Sequence, residues 1–116
     1  MITNLSTQGS LLTEWISELR NVDVQNNRLR FRRNLERIGE AMSYEISKTF
    51  LWQEQEIQTP LGTHNSKTLI NQPVLATILR AGLPMHNGLL NYFDRADNAF
   101  ISAYRKHRRE DRKSVV

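Results

Sequence analysis

Arg80 and Arg105 stand in matching contexts. Each directly follows a short apolar run: Val74–Leu79 (VLATIL) precedes Arg80, and Ala99–Tyr104 (AFISAY) precedes Arg105. Runs of this length and composition predict strands. In open α/β sheets, ligands gather in the crevice beyond the carboxyl ends of the strands, which is where both arginines would sit. Ala81 and Gly82 follow the first arginine, and a glycine there lets backbone approach a ligand closely. Pro84 suits the first turn of a helix. The unpaired N–H groups and positive dipole end of that helix would face the same crevice. Two guanidinium forks, a glycine turn and a helix N-terminus make an anion site suited to phosphates. The competing reading is that both arginines are merely solvated strand ends.

Other reactive side chains form no comparable constellation. His64, His86 and His107 share no metal-ligand spacing. His86 lies near the loop, where it could touch a ligand, but the preferred reading places it on the surface of the helix that follows. Glu54 and Glu56 occupy a polar stretch without a partner base, so no general acid–base role is assigned to them. Ser10, Ser43 and Ser47 lack the neighbours that activate a nucleophile. The chain has no cysteine, which excludes disulfides and thiolate metal sites. Trp15 and Trp52 read as packing residues rather than a stacking platform.

The elements that would position the arginines follow from hydrophobic spacing. Leu12, Trp15, Ile16 and Leu19 make one stripe of a short helix over Leu11–Leu19. Asn21-Val22-Asp23 breaks that pattern, and Asn26 or Asn27 could cap the next helix. Phe31, Leu35, Ile38, Met42, Ile46 and Phe50 recur every three or four residues, which predicts a core-facing helix over Arg28–Phe50. Gln53–Gln72 is polar and carries turn chemistry at Thr59-Pro60-Leu61-Gly62, as in an exposed hairpin or an irregular connection. VLATIL reads as a strand buried on both faces. Met85, Leu89, Leu90 and Phe93 supply a helical stripe, Asp94–Asn98 a polar turn, and AFISAY a second strand. Strand, helix, strand over Val74–Tyr104 is a βαβ unit with parallel strands. The fold class is therefore α/β, with N-terminal helices ahead of a βαβ unit of a parallel sheet.

Bulk composition agrees with a single small domain of 116 residues. Apolar residues at 39% and charged residues at 24% indicate a globular chain rather than a disordered one. No apolar run approaches the ~20 residues that span a bilayer, and the polar N-terminus lacks a signal-peptide layout. A cytoplasmic location is expected by default. The net charge of +4 is concentrated between Arg105 and Lys113. Charge confined to one tail is a weak argument for nucleic acid, which is not expected as a partner.

Ile78-Leu79-Arg80-Ala81-Gly82-Leu83-Pro84-Met85 resembles the ILRAGLxM motif of uracil phosphoribosyltransferases. Gly88-Leu89-Leu90 follows at the expected place. Ala103-Tyr104-Arg105 resembles the family's next strand, which ends in a Tyr-Arg pair. Arg32–Glu45 (RRNLERIGEAMSYE) is similar to its N-terminal helix, with a Tyr-Glu near the end. The resemblance spans roughly Glu14–His107. It implies a partial type I phosphoribosyltransferase fold, Rossmann-like, over residues 1–107, with 108–116 left as a basic tail expected to be disordered. It implies that Arg80, Arg105, Ala81 and Gly82 contact phosphoribosyl pyrophosphate, that magnesium accompanies the pyrophosphate, and that ribosyl phosphate passes to uracil to give UMP. It further implies a homodimer or larger homo-oligomer.

This sequence also departs from the family pattern. Pro84 and Asn87 stand where many members carry glycine and an acidic residue, and Pro84 removes one N–H donor from the loop. Nothing matches the family's acidic, glycine- and threonine-rich loop for the 5′-phosphate, or its uracil-reading segment. The chain as given should therefore not complete the reaction alone. The arginines of Arg28–Arg37 invite a second anion site. Some family members bind a regulatory nucleotide near this helix start, which would place Arg30, Arg32 and Arg33 against an activator such as GTP. The preferred reading of the cluster is a solvated helix face. The rival to the enzyme lineage is a non-catalytic module that binds a polyanion or a parent subunit through its basic tail.

Overall fold

The computed structural model describes residues 2–105. Expectations for His107 and for the tail 108–116 lie outside the described residues. The chain forms a short 3-10 turn at Leu5–Thr7 and two helices, α1 (Leu11–Arg20) and α2 (Arg28–Ser47). An antiparallel hairpin follows, β1 (Trp52–Thr59) and β2 (Gly62–Leu69). The chain then continues as β3 (Val74–Leu79), α3 (Leu83–Tyr92) and β4 (Asp97–Ser102). Strands β3 and β4 pair in parallel, as the βαβ reading requires. Among the described residues, no helix is long and apolar enough to cross a membrane.

Local chemistry explains where the helices start. Ser10 caps α1: its side-chain oxygen accepts from the Leu12 N–H at 3.1 Å, and its own N–H donates to Thr13 Oγ1 at 3.1 Å. This reciprocal capping box satisfies donors that the first turn leaves orphaned. Asn27, one of the two expected caps, accepts from the Arg30 N–H at 3.0 Å. The expected helix over Arg28–Phe50 stops earlier, at Ser47. Its last residues turn back, which brings the Phe50 ring to 5.7 Å from that of Phe93. Phe50 thereby joins Leu89 and Leu90 against the buried cluster of Leu75, Phe93 and Ala96. Core contact outcompetes continued helical spacing at this position.

Helices α2 and α3 pack closely through two glycines. A Cβ on Gly39 would lie 2.5 Å from the Met85 carbonyl oxygen, and a Cβ on Gly88 would overlap the carbonyl oxygen of Glu36. No other residue type allows the two backbones to approach this closely. Helix α3 thus lies between α2 and the β3–β4 sheet.

The polar stretch is a hairpin rather than an irregular connection, with Thr59 opposite Gly62. Gly62 has φ of +138°, a backbone state that L side chains rarely adopt. Beyond its base, where the Trp52 indole donates to the Ser47 carbonyl at 3.0 Å, the hairpin packs against no other element among the described residues.

The parallel sheet corrects two expectations. Strand β3 is buried on one face only: Leu75 faces α3, while Val74, Ala76 and Ile78 are exposed. The described residues supply a helix for a single side. Strand β4 begins at Asp97, two residues before AFISAY, and ends at Ser102. Backbone pairing of Asp97 with Val74 and of Asn98 with Leu75 recruits two polar residues that composition assigns to a turn.

Candidate anion site

The register decides the geometry beyond the strands. Leu79 is paired with Ser102, so β3 and β4 end side by side. Arg80 follows β3 at once, whereas Arg105 comes three residues after the end of β4. Both line one open cleft of about 630 Å³, with Leu79–Ala81 on one side and Ser102–Arg105 on the other. The two guanidinium side chains that the sequence singled out are thus brought to the same place. Ser102 and Tyr104 add hydroxyl groups to the wall. Ser102 could be found only from the register, because nothing in its sequence context distinguishes it.

Gly82 is needed for a reason internal to the loop. A Cβ there would overlap Thr77 Oγ1 and lie 3.0 Å from the Ile78 carbonyl oxygen. The loop folds tightly back on β3, with the Gly82 N–H donating to Ile78 O and the Leu83 N–H to Arg80 O, both at 3.1 Å. Helix α3 then starts with Gly82 at its N-cap and Pro84 in its first turn. The tight loop holds Arg80 and Ala81 at the cleft rather than along the helix.

His86 does not sit on a helix surface. It is 3% exposed, with Nε2 at 2.8 Å from Asn98 Oδ1 and its ring centroid 5.1 Å from that of Phe100. Asn98 and Phe100 alternate onto the same face of β4, toward α3. The signal available in sequence was that spacing of two, which a polar residue at position 98 disguised.

The arginines of α2 divide between two environments. Arg30 makes a bidentate pair with Glu18 of α1, at 2.7 Å from Nε and 3.0 Å from Nη2. The fully buried Asn34 donates to the same carboxylate at 2.8 Å. These hydrogen bonds, with Arg30 the larger influence, hold the Glu18 carboxyl down at about 2. The same pairing raises Arg30 further above its already high value. Arg33 lies 3.4 Å from Glu36 on an exposed face. Arg28 and Arg32 line a separate cleft of about 240 Å³ with Gln25 and Phe31. Arg37 places its guanidinium carbon 6.0 Å from the Trp15 ring centroid, so Trp15 packs between helices.

Among the described residues, the lining of the larger cleft is cationic, hydroxylic or apolar and carries no carboxylate. Among the described residues, no group of three or more His, Cys, Asp or Glu side chains could hold a metal ion.

Comparison with known proteins identifies the lineage. A family model described as uracil phosphoribosyltransferase matches residues 6–116. The uracil phosphoribosyltransferase of Porphyromonas gingivalis is 53% identical over 107 residues, which make up 92% of this chain and 50% of that protein. The Methanococcus maripaludis enzyme of the same name is 38% identical over 100 residues, covering 83% of this chain and 42% of its own length. A solved structure of a protein from Aquifex aeolicus superposes on the whole chain with a TM-score of 0.77 at 25% identity, over 54% of its own chain. The chain spans about half the length of the curated relatives it matches. With a family model matched over residues 6–116 and a relative 53% identical over 92% of its length, this chain belongs to the uracil phosphoribosyltransferase family.

Proposed function

We propose that this chain supplies the pyrophosphate-binding part of a uracil phosphoribosyltransferase site. The reaction transfers ribosyl phosphate from phosphoribosyl pyrophosphate to uracil, giving UMP and pyrophosphate. The observation that carries this reading is the shared cleft of Arg80 and Arg105, in a chain of this family. Negative charge builds on the departing pyrophosphate, and fixed guanidinium groups stabilise it without reorganising. Arg80 and Arg105 act electrostatically and not as bases. Ala81 and Gly82 form the adjoining loop. A magnesium ion carried by the pyrophosphate would neutralise part of its charge, and Arg80 and Arg105 would meet the remainder. The protein works in the cytoplasm as a homodimer or larger assembly.

A regulatory nucleotide such as GTP would meet the start of α2. Arg30 and Arg33 have carboxylate partners, so Arg32 is the member of the expected trio best placed to receive a phosphate, one turn from Arg28.

Calorimetric titration with magnesium phosphoribosyl pyrophosphate tests the main reading. Wild type should bind, Arg80→Ala should bind far more weakly, and deletion of residues 108–116 should change little. Binding that survives Arg80→Ala but disappears with the tail would instead favour a polyanion-binding module.

A further inference from the structure

The register that brings two cations together also sets a hydroxyl between them. Parallel pairing joins Leu75 to Asn98, Thr77 to Phe100 and Leu79 to Ser102. Side chains alternate along a strand, so these three rungs share one face of the sheet. It is the face toward α3, because Asn98 Oδ1 lies 2.8 Å from His86 Nε2 and the Phe100 ring centroid lies 5.1 Å from that of His86. These contacts fix β4 against α3 and so fix which way Ser102, two residues on, must point. The loop after Arg80 returns over the same face, since a Cβ on Gly82 would overlap Thr77 Oγ1. Ser102 therefore stands on the side of the sheet that holds the loop and the start of α3, about one strand spacing (~4.8 Å) from Leu79.

Ser102 is exposed and lines the cleft with Arg80, Ala81 and Arg105. The hydroxyls of Ser43 and Ser47 are spent on helix carbonyls, at 2.8 Å from Gly39 O and 2.6 Å from Tyr44 O. Among the described residues, the Ser102 hydroxyl has no such partner. We infer that Ser102 is a further binding residue for the reaction, its O–H donating to an oxygen of the pyrophosphate group that Arg80 and Arg105 neutralise. The guanidinium groups supply charge, whereas the hydroxyl supplies one directed donor and no charge. This inference rests on the ligand reading proposed above.

Calorimetric titration of the 116-residue chain with magnesium phosphoribosyl pyrophosphate, and separately with magnesium pyrophosphate, tests it. Ser102→Ala should weaken both ligands by the same factor, about tenfold, with a thermal midpoint within a degree or two of wild type. Ser102→Thr keeps the hydroxyl and should recover most of that loss. Ser102→Asp sets a negative charge against the ligand and should abolish measurable binding. A Ser102→Ala variant that loses phosphoribosyl pyrophosphate but keeps pyrophosphate overturns the inference, because the hydroxyl then reads the sugar. So does a Ser102→Thr variant as weak as Ser102→Ala. If Ser102→Ala binds both ligands as wild type does while Arg80→Ala does not, the inference falls and the ligand reading stands. If wild type binds neither ligand, or Arg80→Ala loses nothing, both fall.

Discussion

His86 Nε2 lies 2.8 Å from Asn98 Oδ1, joining the first turns of α3 to the start of β4. With the asparagine oxygen accepting, the imidazole donates from Nε2. The His86 N–H meanwhile donates to Gly82 O at 2.9 Å. One residue therefore ties the loop after Arg80 to the strand that leads to Arg105. Removing the ring leaves a buried hole and an amide without its partner. His86→Ala should destabilise the chain by about 2–3 kcal/mol, measurable as a lower denaturant midpoint at unchanged m-value. An unchanged midpoint would show that Phe100 alone holds β4 against α3.

The glycine contact between α2 and α3 makes a steeper prediction. Gly88→Ala inserts a methyl group into the Glu36 carbonyl, and Gly39→Ala inserts one against Met85 O. Backbone atoms cannot yield as side chains do, so the helices must separate. Each substitution should cost about 2–3 kcal/mol. Gly9→Ala, where nothing lies within 4 Å, should be close to neutral. Thermal melts of the three variants, side by side, check the ranking.

Glu18 sets an acid limit on the α1–α2 contact. Its carboxyl lies at about 2 in the folded chain against an ordinary 4.5. A depressed carboxyl stabilises the fold fully above its unfolded value, and that contribution is lost as pH falls through the folded value. The stability of wild type should therefore decline between about pH 4.5 and pH 2. Glu18→Gln should be less stable than wild type at neutral pH, and its decline over that window should be shallower. Urea denaturation across the pH series reads both effects. Parallel curves for the two proteins would mean that other carboxylates govern acid unfolding.

The cleft predicts that its two cations act on the same anion. Arg80→Ala and Arg105→Ala should each weaken binding of magnesium phosphoribosyl pyrophosphate about tenfold to a hundredfold, the range for a lost hydrogen bond to a charged group. The double variant should lose less than the product of the two factors, because both contact one ligand. A variant of either arginine that leaves this binding unchanged would remove that arginine from the ligand.

Much of the scaffold was legible because it depends on local spacing. The stripes of α1 and α2, the VLATIL strand and the proline-initiated α3 all follow from patterns of two or of three and four residues. Both arginines were legible as well, since each directly follows an apolar run. Errors came where long-range contacts decided the outcome. Phe50 leaves the helix to reach Phe93, and Asp97 and Asn98 enter a strand because Val74 and Leu75 offer them backbone partners. His86 looked like a surface residue because its acceptor lies twelve positions away.

The order of strands and helices, the family signature and the two candidate cations were contained in the order of residues, because each depends on neighbours within a few positions. Only the tertiary structure decided that Leu79 and Ser102 stand side by side, and so that Arg80 and Arg105 share one cleft. It alone showed that Gly39 and Gly88 permit a backbone contact, and that Glu18 holds Arg30 away from the cleft of Arg28 and Arg32. The physical reason is that register and close packing arise between segments distant in the chain, where spacing along the sequence carries no record of distance in space.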